Sequence, residues 1–325
     1  MAVIAWTEIE SFHNIKKFMR AYPENLNGNS IVAYRSKVKL HGTNAGVQVH
    51  DDGTIIPQSR TTELTLENDN AGFARWVMSN KEAWSVAKGH IIYGEWIGPG
   101  IQKGVAVSEI PKKCFVVFAA RIIGENAEHR PDALFVEPDV LTKLVKCIPD
   151  TYVLPWFSDP LEVGWSDSNE TLELVVSLIN QWVSNVEAND PWVEATFGVK
   201  GTGEGLVFYP VSQSHLGLKN FNNLVFKAKG EKHKNIKSAA PAQVNPEAAA
   251  NVDQFVDMVL TEARLEQGAA GNYDMKLVGK FLAWISADVQ KETQDELEAS
   301  GLTWKDVSKA ITAKARLWFI EKAKL

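Results

Sequence analysis

The sequence predicts an α+β protein: a mixed α/β domain with antiparallel sheets, followed by a small all-α C-terminal domain. Strand-like alternation of apolar residues recurs between residues 31 and 229, interrupted by stripes at helical spacing. An Ala- and Pro-rich stretch at residues 238–247 reads as a linker, and only helical periodicity follows it. A chain of 325 residues with 45% hydrophobic composition can form two packed cores. We therefore expect domains at residues 1–237 and 248–325.

The first elements follow from the spacing of apolar residues. Phe12, Ile15 and Phe18 lie on one face of a predicted short helix. Residues 31–56 alternate like strands, with the hairpin signal Asp51-Asp52-Gly53 between two of them. Residues 72–87 predict a helix, and residues 91–95 and 114–123 predict strands. This succession predicts mixed α/β layers.

The second half of the first domain begins with a segment rich in Pro, Asp and aromatic residues. We expect a long irregular excursion at residues 131–165. Ser168 is a predicted N-cap for a helix whose apolar stripe, from Leu172 to Val186, belongs to the core and ends before Pro191. Two strand-like segments at residues 205–209 and 223–229 complete the domain.

The C-terminal segment shows helical periodicity alone. Residues 252–260 and 277–285 each form one apolar helix face, and Thr303 with Asp306 predicts a capping box at the start of a third helix. An appended OB barrel would require strands of period two and turn signals. The pattern therefore argues against such a barrel.

Composition restricts the class of protein. The formal net charge of −6 argues against a surface that is uniformly positive, so any RNA contact must be local. Residues 227–237 contain five lysines and are the candidate for that contact. No apolar stretch is long enough to span a membrane and no export signal is visible, so we expect a cytoplasmic protein. Cys114 and Cys147 stand in apolar surroundings and are predicted to be buried free thiols.

A series of short motifs lies in a meaningful order along the chain. Lys39-Leu40-His41-Gly42-Thr43-Asn44 comes first, at the end of an apolar run. The remaining motifs are Ser59-Arg60-Thr61, Tyr93-Gly94-Glu95-Trp96-Ile97-Gly98-Pro99-Gly100, Phe115-Val116-Val117-Phe118, Gly203-Glu204-Gly205-Leu206-Val207 and Val225-Phe226-Lys227-Ala228-Lys229. Their order and spacing resemble the nucleotidyltransferase motifs of the covalent ligase and capping-enzyme superfamily.

Within that superfamily the chain resembles the RNA ligase 2 branch, which includes phage nick-sealing enzymes and trypanosome editing ligases. His41 and the Thr43-Asn44 pair carry this resemblance, together with residues 94–104, which read GEWIGPGIQKG. DNA ligases and capping enzymes typically carry Asp at the position of His41. One departure is Lys37, two residues before Lys39, where arginine is expected in the best-known phage members.

The resemblance implies a nucleotidyltransferase fold, similar to ATP-grasp ligases, and an ATP-dependent RNA ligase. Such an enzyme joins RNA ends carrying a 3'-hydroxyl and a 5'-phosphate through lysyl-AMP and RNA-adenylate intermediates. ATP is the co-substrate and Mg²⁺ or Mn²⁺ the metal. We expect a monomer that seals nicks in duplex RNA as RNA repair, in the host cytoplasm if the protein is encoded by a phage.

The resemblance also assigns roles to residues. Lys39 is the expected nucleophile, and His41, Lys227 and Lys229 complete the expected catalytic set. An ordinary lysine has a pKa of about 10.4, so attack near neutral pH requires a lower value. Nearby cations, namely Lys227, Lys229 and a metal, would lower it.

The expected nucleotide contacts extend this set. Glu95 is assigned to the ribose hydroxyls and, with Glu204, to the metal, because carboxylates are hard oxygen donors. Arg60 is expected on ribose or phosphate, and Phe118 is expected to stack on adenine, with Phe115 as the alternative. The full expected ATP- and AMP-binding set is Lys39, Leu40, Asn44, Arg60, Glu95, Phe118, Glu204, Lys227 and Lys229.

Three other functions remain open on sequence grounds. A non-catalytic RNA-binding protein would need no nucleophilic lysine, a DNA ligase would usually add an OB fold, and a capping-type enzyme would use GTP. Radiolabelled ATP and GTP distinguish the last from an ATP-using ligase, and they identify a non-catalytic protein by the absence of label. A set of RNA and DNA nicks distinguishes an RNA ligase from a DNA ligase.

Overall fold

The computed structural model describes residues 3–22, 30–124, 134–212, 218–230, 248–293, 297 and 302–324. Contacts between Cα atoms divide the chain into two compact units, Met1–Gly230 and Glu231–Leu325. The predicted linker at residues 238–247 and the lysines at positions 232, 234 and 237 lie outside the described residues.

The N-terminal unit contains two β-sheets. The strands of the first sheet are β1 (Glu10–Ser11), β2 (Ile31–Lys39), β9 (Leu161–Gly164), β10 (Gly205–Pro210) and β11 (Phe226–Lys229). Their order is β1-β11-β10-β2-β9, with β1 parallel to β11 and the other pairs antiparallel. Helix α1 (Phe12–Ala21) begins where Ser11 accepts a hydrogen bond from the backbone N–H of Asn14.

The second sheet contains the other six strands described in this unit. They are β3 (Thr43–Val49), β4 (Ile55–Ser59), β5 (His90–Ile97), β6 (Cys114–Ile122), β7 (Leu134–Phe135) and β8 (Thr151–Val153). The order is β4-β3-β5-β6-β7, all antiparallel, and β8 pairs in parallel with β6. Helices α2 (Phe73–Ser79) and α3 (Pro138–Val145) supply residues to a core on one face of this sheet.

Strand β6 separates two apolar cores because successive side chains of a strand point to opposite faces. Val116 and Phe118 join a first core that also contains residues of the first sheet. Phe115 and Val117 join a second core with Phe73 and other residues of the helical layer. Of the two faces of β6, only the one that carries Val116 and Phe118 therefore belongs to the core shared with the first sheet.

Three further helices complete the described N-terminal unit. They are α4 (Asn169–Ala188), α5 (Pro191–Phe197) and α6 (Leu218–Leu224). Ser168 caps α4 as predicted, and Leu172, Ile179 and Val183 of its apolar stripe are buried. Asp190 caps α5 through the backbone N–H groups of Trp192 and Val193.

The described part of the second unit is helical. Its α-helices are α7 (Ala248–Val259), α8 (Glu262–Ala269), α9 (Val278–Glu292) and α10 (Trp304–Lys322). Phe255, Ile285, Val307 and Phe319 are among the residues of a separate apolar core. The predicted capping box of Thr303 and Asp306 is present at the start of α10. The mixed α/β fold with antiparallel sheets and a helical C-terminal region is confirmed.

Several sequence expectations differ from the structure. The predicted helix at residues 72–87 is broken: α2 ends at Ser79 and a 3₁₀ helix, Lys81–Ala87, follows. The Asn80 side chain donates to the backbone carbonyl of Trp76, and its backbone N–H bonds to Val77 instead of continuing the α-helix. Cys114 is buried as expected, but Cys147 is exposed. Among the described helices, none is long and apolar enough to cross a membrane.

The expected irregular excursion at residues 131–165 is also wrong for its described part. Residues 134–164 contain β7, α3, β8 and β9. These strands are short and pair with distant parts of the chain, since β8 joins β6 and β9 joins β2. Such pairing leaves little local signal in the sequence.

Candidate active site

Lys39 is the last residue of β2, and its neighbours across the first sheet place it beside two other motifs. Lys39 lies opposite Gly205 on β10, and Gly205 lies opposite Lys229 on β11. Glu204 directly precedes Gly205. The antiparallel pairing therefore brings three motifs that are distant in sequence to one end of the sheet.

Glu204 is the centre of this group. Its carboxylate is buried, with Oε2 at 2.7 Å from the Lys39 Nζ and 3.3 Å from the His41 Nδ1. The other oxygen, Oε1, lies 3.4 Å from the Lys229 Nζ. Burial acts to raise the pKa of Glu204, but the cations of Lys39 and Lys229 outweigh burial and hold the pKa well below its usual range. The site therefore keeps an ionised carboxylate shared among three basic side chains.

The residues after Lys39 carry the chain from the first sheet to the second. The connection is short, since β2 ends at Lys39 and β3 begins at Thr43. Gly42 donates its backbone N–H to Glu95 Oε1 at 3.1 Å, and the Gln102 side chain donates to the Gly42 carbonyl at 3.0 Å. A Cβ at position 42 would lie 2.5 Å from the Trp96 carbonyl oxygen, so the close approach requires glycine.

Glu95 is the second carboxylate of the site and is half-buried. Burial raises its pKa to about 7, while Lys39 acts to lower it and Glu204 to raise it. The two carboxylates thus influence one another electrostatically. Asn44 lies directly opposite Glu95 on the neighbouring strand β3. Residues of the second sheet therefore complete one side of the site.

The two candidate phenylalanines lie on opposite faces of β6. Phe115 is fully buried in the second core, next to Phe73. Phe118 belongs to the first core, where its ring centroid lies 5.2 Å from that of Trp6. Only Phe118 shares a core with residues of β2, so it remains the candidate for stacking on adenine.

Lys37 does not contact solvent. Its side chain is fully buried, and its Nζ donates to the carbonyl oxygens of Phe118 at 2.9 Å and Val136 at 2.6 Å. Burial lowers the pKa of Lys37 to about 7. The Lys37 amine, where a substrate contact was left open on sequence grounds, is enclosed by protein.

The remaining expected site residues lie around this centre. Lys227 is half-buried, lies opposite Val207 on β10, and precedes Lys229 by two residues on β11. Arg60 is half-exposed and lies 3.9 Å from Glu8, yet its charge contributes to lowering the pKa of Glu95. The Leu40 side chain is buried in the first core.

Two residues near the site were not assigned from the sequence. Gln102 donates a hydrogen bond to the Gly42 carbonyl. Its position in the motif GPGIQKG, residues 98–104, could have identified it from the sequence as a candidate site residue. Trp6 packs against Phe118 and Tyr93 from the N-terminal segment. No local pattern indicated that contact, because it joins parts of the chain more than 80 residues apart.

The carboxylates of Glu95 and Glu204 are chemically suited to a divalent cation that also takes ligands from water and substrate phosphates. Mg²⁺ is commonly bound by one or two carboxylates, with substrate phosphates and water completing the octahedron. Glu204 and Glu95 supply such a pair of hard oxygen donors. The described residues contain no group of three or more His, Cys, Asp or Glu side chains that could hold a metal. Water and phosphate oxygens are the further ligands that a cation on these two carboxylates would take.

Comparison with known proteins identifies the family of this chain. A family model described as RNA ligase matches residues 34–229, which is more than half of the chain. That match includes every expected site residue, from Lys39 to Lys229. The chain belongs to the RNA ligase family.

Solved structures of a Naegleria gruberi RNA ligase are among the similar folds. A mutant apo form is 20% identical with a TM-score of 0.44, covering 71% of this chain and 57% of that chain. A mutant with ATP and Mn is 22% identical with a TM-score of 0.44, covering 71% and 58%. A form with PPi is 21% identical with a TM-score of 0.44, covering 72% and 59%. The chain thus matches less than two thirds of the length of these relatives.

Proposed function

We propose that this protein is an ATP-dependent RNA ligase that uses Lys39 as its nucleophile and seals nicks in duplex RNA. One observation carries the proposal. The Lys39 amine, at the end of β2, shares the buried Glu204 carboxylate with His41 and Lys229. This arrangement places the Lys39 amine beside the His41 and Lys229 side chains, which can stabilise negative charge during transfer of a nucleotidyl group.

In the first step, the Lys39 Nζ attacks the α-phosphorus of ATP. The Lys39 ammonium first gives a proton to water and becomes a neutral amine. A bond from its nitrogen to phosphorus then forms, the bond to pyrophosphate breaks, and the nitrogen gives a second proton to water or to the departing pyrophosphate. Glu204 Oε2, at 2.7 Å, is the carboxylate oxygen beside that amine and holds it in place before ATP binds. Lys229 and His41, which contact the same carboxylate, are in position to stabilise charge on the phosphates.

In the second and third steps, the RNA ends react. The 5'-phosphate of RNA attacks the AMP phosphorus and displaces Lys39, which regains its protons. The 3'-hydroxyl then attacks the 5'-phosphate, and AMP leaves as the phosphodiester bond forms. Glu204 and Glu95 would hold a divalent cation, Mg²⁺ or Mn²⁺, whose charge neutralises the phosphates.

Self-adenylation tests the first step. Wild-type protein, Lys39→Ala and the control Lys88→Ala, which alters an exposed lysine, are incubated with α-labelled ATP or GTP and separated on a denaturing gel. We expect label from ATP on wild type and on the control, and none on Lys39→Ala. Label from GTP would favour a capping-type enzyme, and no label on wild type would favour a non-catalytic RNA-binding protein.

A sealing assay tests the substrate. Four matched nicks, with RNA or DNA on either side of the break, separate RNA ligase from DNA ligase activity. We expect the all-RNA nick to be sealed more efficiently than the all-DNA nick. Efficient sealing of the all-DNA nick, equal to that of the RNA nicks, would contradict the proposed substrate.

A further inference from the structure

Lys37 is a buried basic group that the three reaction steps do not use. Lysine is almost never fully buried unless its amine is paired, because removing an unpaired charge from water is costly. Here the amine donates to two backbone carbonyls, those of Phe118 and Val136. The rings of Trp156 and Tyr209 enclose it further, with centroids at 4.8 Å and 5.6 Å from Nζ.

The Phe118 carbonyl lies at an irregularity in the second sheet. Tyr93 of β5 faces Ala119 of β6, but the next residue, Gly94, faces Val117. Phe118 therefore has no opposing residue on β5, which is the arrangement of a β-bulge. A bulge redirects a side chain and leaves backbone groups outside the ladder. Lys37 reaches this bulge from the other sheet.

The contact links the two sheets at a functional position. Lys37 lies two residues before Lys39 on β2, so both side chains point to the same face of the strand. One strand thus fixes the expected nucleophile and, through the Lys37 bond, the backbone of Phe118. The ring of Phe118 is fixed separately by Trp6, at 5.2 Å between centroids.

We propose that Lys37 is a positioning residue for nucleotide binding, which acts through Phe118 and does not touch the nucleotide. The inference rests on the proposed function, because it assumes that Phe118 stacks on the base. By tying β2 to the bulge in β6, Lys37 sets the separation between the Lys39 amine and the Phe118 ring. A neutral amine retains two N–H groups, so both carbonyls stay bonded in either protonation state.

The test is the ATP dependence of single-turnover self-adenylation. Lys37→Met keeps the length of the side chain and removes its donors. We expect the half-saturating ATP concentration to rise roughly five- to thirty-fold, because the loss of one or two hydrogen bonds corresponds to a change of that size. The rate of adenylation at saturating ATP should be nearly unchanged. Lys143→Met, at an exposed site on α3, is the matched control and should behave as wild type. Lys37→Arg retains N–H donors and should recover part of the affinity.

A double-mutant cycle distinguishes positioning from a general structural effect. If Lys37 acts through Phe118, Lys37→Met should add little to the loss of ATP affinity already caused by Phe118→Leu. Independent losses that add in the double variant, or an unchanged half-saturating concentration in folded Lys37→Met, would overturn the inference. Should Lys37→Met fail to fold, Lys37→Gln replaces it in the cycle, because its shorter side chain cannot bond both carbonyls in the same way.

The outcome is separable from that of the proposed function. If wild-type protein forms no covalent AMP adduct, the proposed function is wrong, and the role of Lys37 in nucleotide binding, which rests on it, is wrong as well. If wild type and Lys37→Met adenylate with the same ATP dependence, the proposed function stands and the role of Lys37 is wrong. Circular dichroism and thermal unfolding of each variant show whether the fold is retained.

Discussion

Lys37 and Lys39 project from the same face of β2, two residues apart, yet only the Lys39 amine reaches the carboxylate of Glu204. Lys37 is fully buried and bonded to two carbonyls, whereas the Lys39 side chain is 22% exposed. Burial lowers the pKa of Lys37 to about 7, a value that alone would suggest a nucleophile. Access decides otherwise, because an enclosed amine cannot approach a phosphate.

The first prediction separates the chemical steps. Lys39→Ala should form no AMP adduct but should still seal RNA that already carries a 5'-adenylate, because the last step needs the phosphate-binding groups and not the nucleophile. Sealing of pre-adenylated nicked RNA by the variant and by wild type measures this. Complete loss of that activity in a folded variant would contradict the assignment of Lys39 to the first step.

The second prediction concerns the shared carboxylate. Glu204→Gln keeps the shape of the side chain but removes the charge that Lys39, His41 and Lys229 contact. We expect the self-adenylation rate to fall by about 100-fold or more, since the charged groups lose their common anchor. Glu162→Gln, at an exposed position of the same sheet, is the control and should leave the rate unchanged. A rate equal to wild type in Glu204→Gln would sink the proposed role.

The third prediction follows from the close approach at Gly42. A Cβ there would lie 2.5 Å from the Trp96 carbonyl oxygen and 2.9 Å from Glu95 Cγ. Gly42→Ala should therefore displace Glu95 and reduce self-adenylation by at least about ten-fold, a cost of about 1.4 kcal/mol in the barrier. In Gly279→Ala the added methyl group meets nothing within 4 Å, and the variant should retain full activity. Equal activity of the two variants would show that the approach is not needed.

The fourth prediction is a pH dependence of stability. Burial raises the pKa of Asp190 to about 6, although the N–H groups of Val193 and Trp192 act to lower it. The folded protein then keeps a proton that the unfolded chain releases between about pH 4 and pH 6, so Asp190 destabilises the fold as pH rises through that window. Above it, Asp190→Asn should be more stable than wild type by up to about 3 kcal/mol.

Urea unfolding at several pH values checks this sign. Asn keeps the oxygen that caps α5, so the difference between variant and wild type should reflect the charge. The difference should be small near pH 4 and reach its plateau near pH 7. Asp139→Asn, at an exposed position of α3, is the control. A difference that does not change with pH would show that the Asp190 carboxyl is not perturbed by burial.

The fifth prediction concerns the segment after the expected linker. A fragment ending at residue 237 retains every expected nucleotide-binding residue and should self-adenylate. It should seal nicks poorly, because lost phosphate contacts weaken duplex binding and reduce its salt dependence. Nick affinity and sealing by both proteins across a salt series test this, with adenylation as the folding control. Equal sealing at every salt concentration would mean that residues 248–325 do not engage RNA.

Local interactions explain which elements were predictable. The N-caps of helices α1, α4 and α10 are Ser11, Ser168 and Thr303, and each cap depends on residues no more than three positions away. Such signals are carried by neighbouring side chains and the backbone they bond to. The break at Asn80 also has a local cause, the hydrogen bond from its side chain to the Trp76 carbonyl. A single asparagine inside an apolar helical pattern is not enough to predict such a break.

By itself the sequence determined the order of the motifs, the strands that carry them, and the change to helical periodicity after residue 247. These depend on periodicity and residue type, which the chain carries along its length. Only the tertiary structure decided that β2 and β3 belong to different sheets, that Phe118 and not Phe115 shares a core with β2, and that Lys37 is enclosed while Lys39 reaches Glu204. Those outcomes depend on strand register and on contacts between residues far apart in sequence, and a one-residue shift in register would reverse every side chain of a strand.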